Sequence, residues 1–467
     1  HWSAEQLIDA ATFGTGPAAP AADLFAALVW RVATMIDPPN EDAPEPPDVH
    51  RAPTAAPGPG AEPTSSTVPE PNRATGVERI IELNHWALDY FARMHPRSWA
   101  PDYLLERLGT DLADDRRFTV GYAPPGPSSL LRHLTARGAG IDELIDAGLA
   151  RRTENSRIVD TFRDRIVFPI YSGERLLGFI ARRNPSKDDL TSAGPKYLNT
   201  CSTAAFNKGD VLFGLTEGAD ALAADARPVI VEGPFDAIAV TISANRSAVG
   251  IAPLGTGFTA AQAAQLKPYI RKNRSAIVIG TDPDAAGWQS GQRVFWQLAA
   301  LGADPQHLQM PHGVDPADIL RREGATALAA RLSQTQSFGA TLLERLVANN
   351  SDQGVDTAAR IWLARDAALV IGALPPDHWG EHVGRISQRL DLPAGMLHLE
   401  VIEAGETWTN EPESCARRAL ATLRPEPATS REAGQAPPSA PPSNSHVSTR
   451  HAPPPTTRRN EPRVLRP

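Results

Sequence analysis

Six carboxylates fall in three short motifs, each placed where an apolar run gives way to a helix-like segment. They are Glu232 and Asp236 in VIVEGPFDAIAV, Asp282 and Asp284 in IVIGTDPDAAG, and Asp315 and Asp318 in GVDPADIL. Gathered in one place, so many like charges would drive some of these acids to take up protons. A hard divalent cation removes the difficulty, because Mg²⁺ prefers oxygen ligands and keeps part of its shell for water and substrate phosphate. No His or Cys stands within the three quoted motifs, so the donor set favours Mg²⁺ or Mn²⁺ over Zn²⁺. Such a site suits phosphoryl and nucleotidyl transfer, where the ion activates the attacking oxygen and neutralises the leaving pyrophosphate. Each motif alone also has a plainer reading. Asp236 can be a first-turn acid facing a helix dipole, TDPDAAG a turn with an N-cap, and DPAD a helix start with Pro in first position. Three acidic strand ends in one block weigh against that reading for the set.

What must position these acids is an alternation of strand and helix. PVIVEG, SAIVIGTD and HLQMP read as strands; FDAIAVTISAN, AAGWQSGQRVFWQLAALG and PADILRREG read as helices. That rhythm predicts right-handed crossovers and a mainly parallel sheet, with the acids on its carboxyl edge, where open sheets bind ligands. Upstream, residues 78–150 read as helices with short loops, and DRIVFPIYSGERLLGFIARR (164–183) as a hairpin about a Ser-Gly turn. Downstream, residues 335–405 read as helices; Trp379, Val383, Ile386 and Leu390 share one stripe that is simply core. Two short helices are expected within residues 1–36. Residues 37–75 hold eleven prolines and no Leu, Ile, Phe, Tyr or Trp, so they read as a linker. Residues 425–467 hold eleven more prolines, and a disordered tail is expected over 410–467.

The bulk composition narrows the function classes. The 467 residues carry a net charge of −8, which argues against nonspecific coating of nucleic acid. Residues 151–208 nevertheless hold eleven Arg or Lys against six Asp or Glu, a local +5 just before the first acidic motif. Arg163 and Arg165 within it have an alternative use in pairing with Asp160 and Asp164. Two distant cysteines, Cys201 and Cys415, support neither a disulfide framework nor a Cys-based zinc site, and fit a reducing cytoplasm. No run of 18 apolar residues offers a membrane span, and no secretory leader is visible after His1, a start that suggests a fragment.

In order and spacing, VEGPFDAIA, GTDPDAAG and GVDPADIL resemble the Toprim domain of bacterial DnaG-type DNA primases. FTVGYAP (118–124), FRDRIVFPI (162–170), GFIARR (178–183), PKYLN (195–199), FNKGDVLFGL (206–215) and PLGTGFT (253–259) resemble the rest of that core, so the likeness spans about residues 78–405. It implies an α/β fold: a Toprim parallel-sheet domain (227–330), an α+β N-terminal subdomain (76–226) and a C-terminal helical subdomain (335–405), flanked by disordered Pro-rich segments. It also implies a DNA-directed RNA polymerase that makes short RNA primers from ribonucleoside triphosphates on single-stranded DNA during replication, in the cytoplasm and at the nucleoid. Under that resemblance Glu232 is the catalytic acid or base or a metal-bridging ligand, and Asp236 supports it. Asp282 and Asp284 are the main metal ligands, joined by Asp315 and, by substitution, Asp318. Arg182, Arg183, Lys196, Asn199 and Lys208 face template and nucleotide.

The departures from the family are specific. Ala317 stands where the third motif usually has a second acid, and Ile180 and Ala181 stand where glycines are frequent. Nothing here builds the family's zinc module, so it lies upstream of His1 or is supplied by a separate zinc-module protein. A replicative helicase is the other expected partner, although no helicase-binding domain is recognisable. The absence of any Gly-Lys pair leaves no Walker A loop for a fused helicase. Two further readings stay open: Toprim-type strand cleavage, as in nucleases and topoisomerases, and a noncatalytic subunit that binds single-stranded DNA.

Overall fold

The computed structural model describes residues 75–190, 194–255, 257–270, 276–348 and 356–423. The helices expected within 1–36, the linker up to 74 and the tail beyond 423 lie outside these residues.

The first region is built on a four-stranded antiparallel sheet, β1 (Gly121–Ala123), β4 (Arg165–Ser172), β5 (Arg175–Arg183) and β6 (Tyr197–Asn199), in the order β1-β4-β5-β6, beside a separate antiparallel pair of β2 (Ala150–Arg152) and β3 (Ile158–Asp160). The predicted hairpin is β4–β5. Its turn needs Gly173, whose φ of +59° is a left-handed conformation open to glycine. Helix α1 (Val77–Met94) packs on this sheet through Phe91, which meets Phe162 and Phe179 edge to face at 6.5 and 5.5 Å. Helix α2 (Ala100–Leu108) buries Leu104 and Leu108 and points its polar side elsewhere.

The second region is a six-stranded sheet in the order β12-β11-β10-β8-β9-β7. Strands β8 (Arg227–Ile230), β9 (Ala248–Pro253), β10 (Val278–Ile279) and β11 (Gln306–Leu308) are mutually parallel. The edge strands β7 (Leu212–Phe213) and β12 (Thr335–Ser337) run antiparallel to their neighbours. Both faces are covered. Val229, Val231 and Val278 belong to one apolar layer, and Ile230, Ile277 and Ile279 to the other, the period-two division of a strand buried on both sides. The covering helices include α6 (Pro234–Ser243), α8 (Ala285–Ala299), α9 (Pro316–Glu323) and α11 (Phe338–Ala348).

The mainly parallel α/β sheet is therefore as the alternation predicted. It also recruits β7 and β12, which lie outside the 227–330 window, and β9, which the strand pattern had not singled out. In the helical region, α12 (Thr357–Ala373), α13 (Trp379–Leu390) and α14 (Ala394–Asn410) pack together; the stripe of Val383, Ile386 and Leu390 is buried there. The chain stays helical beyond the expected start of the tail at 410. Helix α15 (Pro412–Thr422) buries Cys415, Ala416 and Ala419 in the same core, because its apolar residues recur at helical spacing.

Candidate active site

The first two acidic motifs are strand ends followed by helix starts, and the third opens a helix seven residues after β11. After β8 the chain passes through Glu232 and an extended Gly233, and Pro234 opens α6 as its first residue. Asp236, in the first turn of α6, is buried. After β10 the Asp282 N–H donates to Glu232 Oε1 at 2.9 Å, which ties the first motif to the second. Asp284 is the N-cap of α8 and accepts from the Gly287 N–H at 2.7 Å. Gly287 has no room for a side chain: a Cβ there would lie 2.2 Å from the Asp282 carbonyl oxygen and 2.6 Å from Glu232 Oε1. Asp315 is the N-cap of α9, accepting from the Asp318 N–H at 2.7 Å, and the Ala317 N–H approaches Asp236 Oδ1 at 3.4 Å. The three motifs thus meet at the carboxyl edge of the parallel strands.

Their charges interact. Burial, then Asp282 and Asp284 nearby, pushes Glu232 up to about 7. Burial and the negative charges of Asp315 and Asp282 hold Asp236 well above the ordinary carboxylate range, against the pull of Arg107. Asp282 is raised by burial and by Asp315 and Asp284, with Lys196 as its opposing positive charge. The third motif differs. Arg107 Nη2 donates to Asp315 Oδ2 at 2.5 Å, and its Nη1 bonds Asp318. Burial disfavours the Asp318 anion, but Arg107, Arg322 and Arg321 outweigh it and keep that carboxyl below its usual range. Ala317, the departure from the family pattern, is fully buried, and the acid beside it is occupied by arginines.

The predicted basic and polar residues divide into two groups. Arg182 and Arg183 both ion-pair with Asp188, at 2.5 and 2.9 Å, and Arg183 also donates to the Gly194 carbonyl. Asn199 donates from Nδ2 to the Leu254 carbonyl at 2.6 Å and lines a cleft of about 640 Å³ shared with Tyr197, Glu232, Pro234, Leu254 and Arg293. Lys196 flanks Tyr197, its Nζ 5.8 Å from the ring, and Lys208 lies beside Gly255 of the cleft wall.

The pairing expected for Arg163 and Arg165 needs correction. Arg163 is an electrostatic neighbour of Asp160, whose carboxylate accepts from the Leu130 and Leu131 N–H groups. Arg165 makes no pair with Asp164. It is buried and donates to the carbonyls of Pro195 at 2.9 Å, Ala181 at 3.3 Å and Lys196 at 3.4 Å. Asp164 instead accepts from Trp99 Nε1, Tyr122 Oη and Lys187 Nζ at 2.8, 2.7 and 2.6 Å. Asp164 lies just before β4, in a bend with a left-handed φ of +51°, and that turn sends its side chain to different neighbours from those of Arg165.

Sequence reasoning missed Arg107 and Arg293. Arg293 shares one face of α8 with Ala286 and Ser290, seven and three positions before it, and all three line the cleft. Nothing local marks Arg107, whose partners are 208 and 211 residues away.

Among the described residues, no group of three or more His, Cys, Asp or Glu side chains is disposed to hold a metal ion. The chemistry of Glu232, Asp282 and Asp284 nonetheless fits a hard cation: all donors are carboxylate oxygens, and burial and mutual repulsion raise Glu232 and Asp282.

A parallel sheet with acids at its carboxyl edge, joined to an antiparallel β subdomain, defines a Toprim-type catalytic core. Residues 229–320 match the Toprim-like family, and residues 90–219 match the family described as DNA primase catalytic core, N-terminal domain. The chain is 38% identical over 245 residues to a DNA primase of Deinococcus radiodurans, covering 52% of this chain and 40% of that one. A crystal structure of a DNA primase domain from Pseudomonas aeruginosa superposes with a TM-score of 0.57 at 29% identity, over 69% of this chain and 99% of that one. A DnaG primase catalytic domain bound to single-stranded DNA does so with a TM-score of 0.55 at 26% identity, over 68% and 96%. The chain carries a bacterial DnaG-type primase catalytic core. It spans about half the length of the curated relatives it matches.

Proposed function

We propose that this chain synthesises short RNA primers on single-stranded DNA by divalent-metal-dependent nucleotidyl transfer, as a DNA-directed RNA polymerase of replication in the cytoplasm. The observation that carries the reading is the Glu232–Asp282 contact, which joins two acidic motifs at the mouth of a cleft lined on its other walls by Asn199 and Arg293. Glu232, Asp282 and Asp284 would hold Mg²⁺ or Mn²⁺, and the bound ion would screen the triphosphate and favour the deprotonated attacking hydroxyl. Glu232, the one of the three that lines the cleft, would act either as a bridging ligand to that ion or as the acid or base; without a cation its carboxyl is raised by burial and by Asp282 and Asp284. Asp236 and Asp315 set the negative field behind it, and Arg107 offsets that field on the Asp318 side. Lys196, Lys208 and Arg293 supply positive charge for phosphates along the cleft. A bound single strand in a related catalytic domain supports the same class of template here.

Purified protein given single-stranded DNA, ribonucleotides and Mg²⁺ or Mn²⁺ should yield short RNA products that vanish in Asp282→Ala. Template binding without product in both proteins would instead make the chain a binding subunit. Nicking of supercoiled DNA dependent on the same acids would make it a strand-cleaving enzyme.

A further inference from the structure

A second cavity, of about 580 Å³, reaches Asp282 from the side of β11, β12 and the helical region, and shares no lining residue with the first cleft. Its wall carries a layered stack. Phe338 lies parallel to Trp288, with ring centroids 5.0 Å apart and planes within 13°, and the Arg345 guanidinium lies over Trp288 at 3.8 Å. Arg345 is exposed on α11, so the cation over Trp288 faces solvent. Arg389, from α13, joins the lining. Glu344 and Asp282 also line the cavity; Glu344 pairs with Arg385 at 3.5 Å, and among the described residues neither Arg345 nor Arg389 is in an ion pair. Gln309 and Gln336 contribute amides; Gln336 donates to Thr341 Oγ1 at 2.9 Å, leaving its own oxygen to accept. His307 completes the wall with a buried Nδ1 that has no hydrogen-bond partner.

We propose that this cavity is a second nucleotide site, in which a base stacks on Arg345 and its phosphate is held by Arg389. Nucleobases stack on guanidinium planes as readily as on aromatic rings. A guanidinium seated over Trp288 and, among the described residues, in no ion pair is prepared for that contact. The volume suits a ligand of nucleotide size, and amides at Gln309 and Gln336 match the donors and acceptors of a base edge. Free nucleoside triphosphate and a nucleotide of a bound strand offer the same chemistry. The site deepens the primase reading, on which its role beside Asp282 rests, by giving the reaction a subsite separate from the first cleft.

The test uses the full chain with two probes in EDTA: mant-ATP, and a short fluorescein-labelled oligo(dT). Arg345→Glu and Arg389→Glu are compared with wild type, each first shown to melt at an unchanged temperature. Free nucleotide as the occupant is expected to give about a tenfold rise in the Kd for mant-ATP in both variants with oligo(dT) unchanged, within the range that one stacked base contributes. A strand as the occupant gives the rise for oligo(dT) instead. Either pattern, or both together, supports the site. Unchanged affinities in both variants, or no binding of either probe by wild type, overturn it. Neither readout needs catalysis. A chain that makes no primers yet shows the Arg345 effect loses the primase reading and keeps the site.

Discussion

At the scale of single residues, Arg107 decides how the third acidic motif behaves. Its guanidinium bonds both Asp315 and Asp318, and all three side chains are largely buried. Removing it leaves two carboxylates beside the already raised Asp236. Arg107→Ala should cost about 2–3 kcal/mol at pH 7 in urea unfolding, less than a fully buried pair because some water reaches this one. Asp318 is depressed below its ordinary 3.8, so its share of that stability is present above pH 3.8 and lost as pH falls through the folded value. The cost of the variant should therefore shrink in acid. Glu217 behaves in the opposite sense. Burial lifts it to about 7 from an ordinary 4.5, while the Gly214 N–H bonds it at 3.1 Å. Native stability is then favoured while Glu217 is protonated and declines as pH rises from 4.5 through 7. Glu217→Gln should match wild type near pH 4 and exceed it by about 2 kcal/mol at pH 8, measured as paired unfolding curves.

At the scale of elements, the site depends on how close α8 starts to the ends of β8 and β10. Gly287 makes that approach possible, and Gly287→Ala would drive a methyl into the Asp282 carbonyl and Glu232. The expected result is a folded protein whose template affinity is retained while primer synthesis falls more than tenfold, read by gel assay beside an oligonucleotide titration. The first two acidic turns were legible because each combines a buried apolar strand, a helix-starting Pro or Asp, and an otherwise unneeded acid; the third was legible from its Asp-Pro helix start, since β11 is the half-buried Gln-His-Leu. Strand β9 was less so. All six of its residues are buried, but AVGIAP has a Gly and two alanines where β-branched residues would announce a strand. The edge strands β7 and β12 are two and three residues long, too short for any period to show. Arg165 was misread for another reason. Its neighbours in sequence offered acids, whereas its neighbours in space are backbone carbonyls of the segment that carries Lys196. Burial and the adjacent Arg183, Arg182 and Arg163 depress it to about 10.

At the scale of the whole molecule, the proposed function asks how an acidic chain would attract a polyanion. The excess of eleven basic over six acidic residues in 151–208 was visible in the sequence, but its usable part was not. Arg175, Arg182, Arg183 and Lys187 are ion-paired, and Arg165 is spent on carbonyls. What remains for phosphate includes Lys196 and Lys208, which border the acidic edge. Each phosphate neutralised on a single strand steepens the dependence of log K on log salt by about 0.7. Lys196→Ala combined with Lys208→Ala should therefore flatten that slope by about 1.4, measured by fluorescence anisotropy over a salt series. Arg182→Ala should leave the slope unchanged and lower stability instead, since its partner Asp188 would lose a bonded cation. The opposite assignment, a slope lowered by Arg182→Ala and unmoved by the lysine pair, would place the template along the Asp188 loop and away from the acids. The same titration thus tells which face of the molecule the strand crosses, and whether its path passes the carboxylates at all.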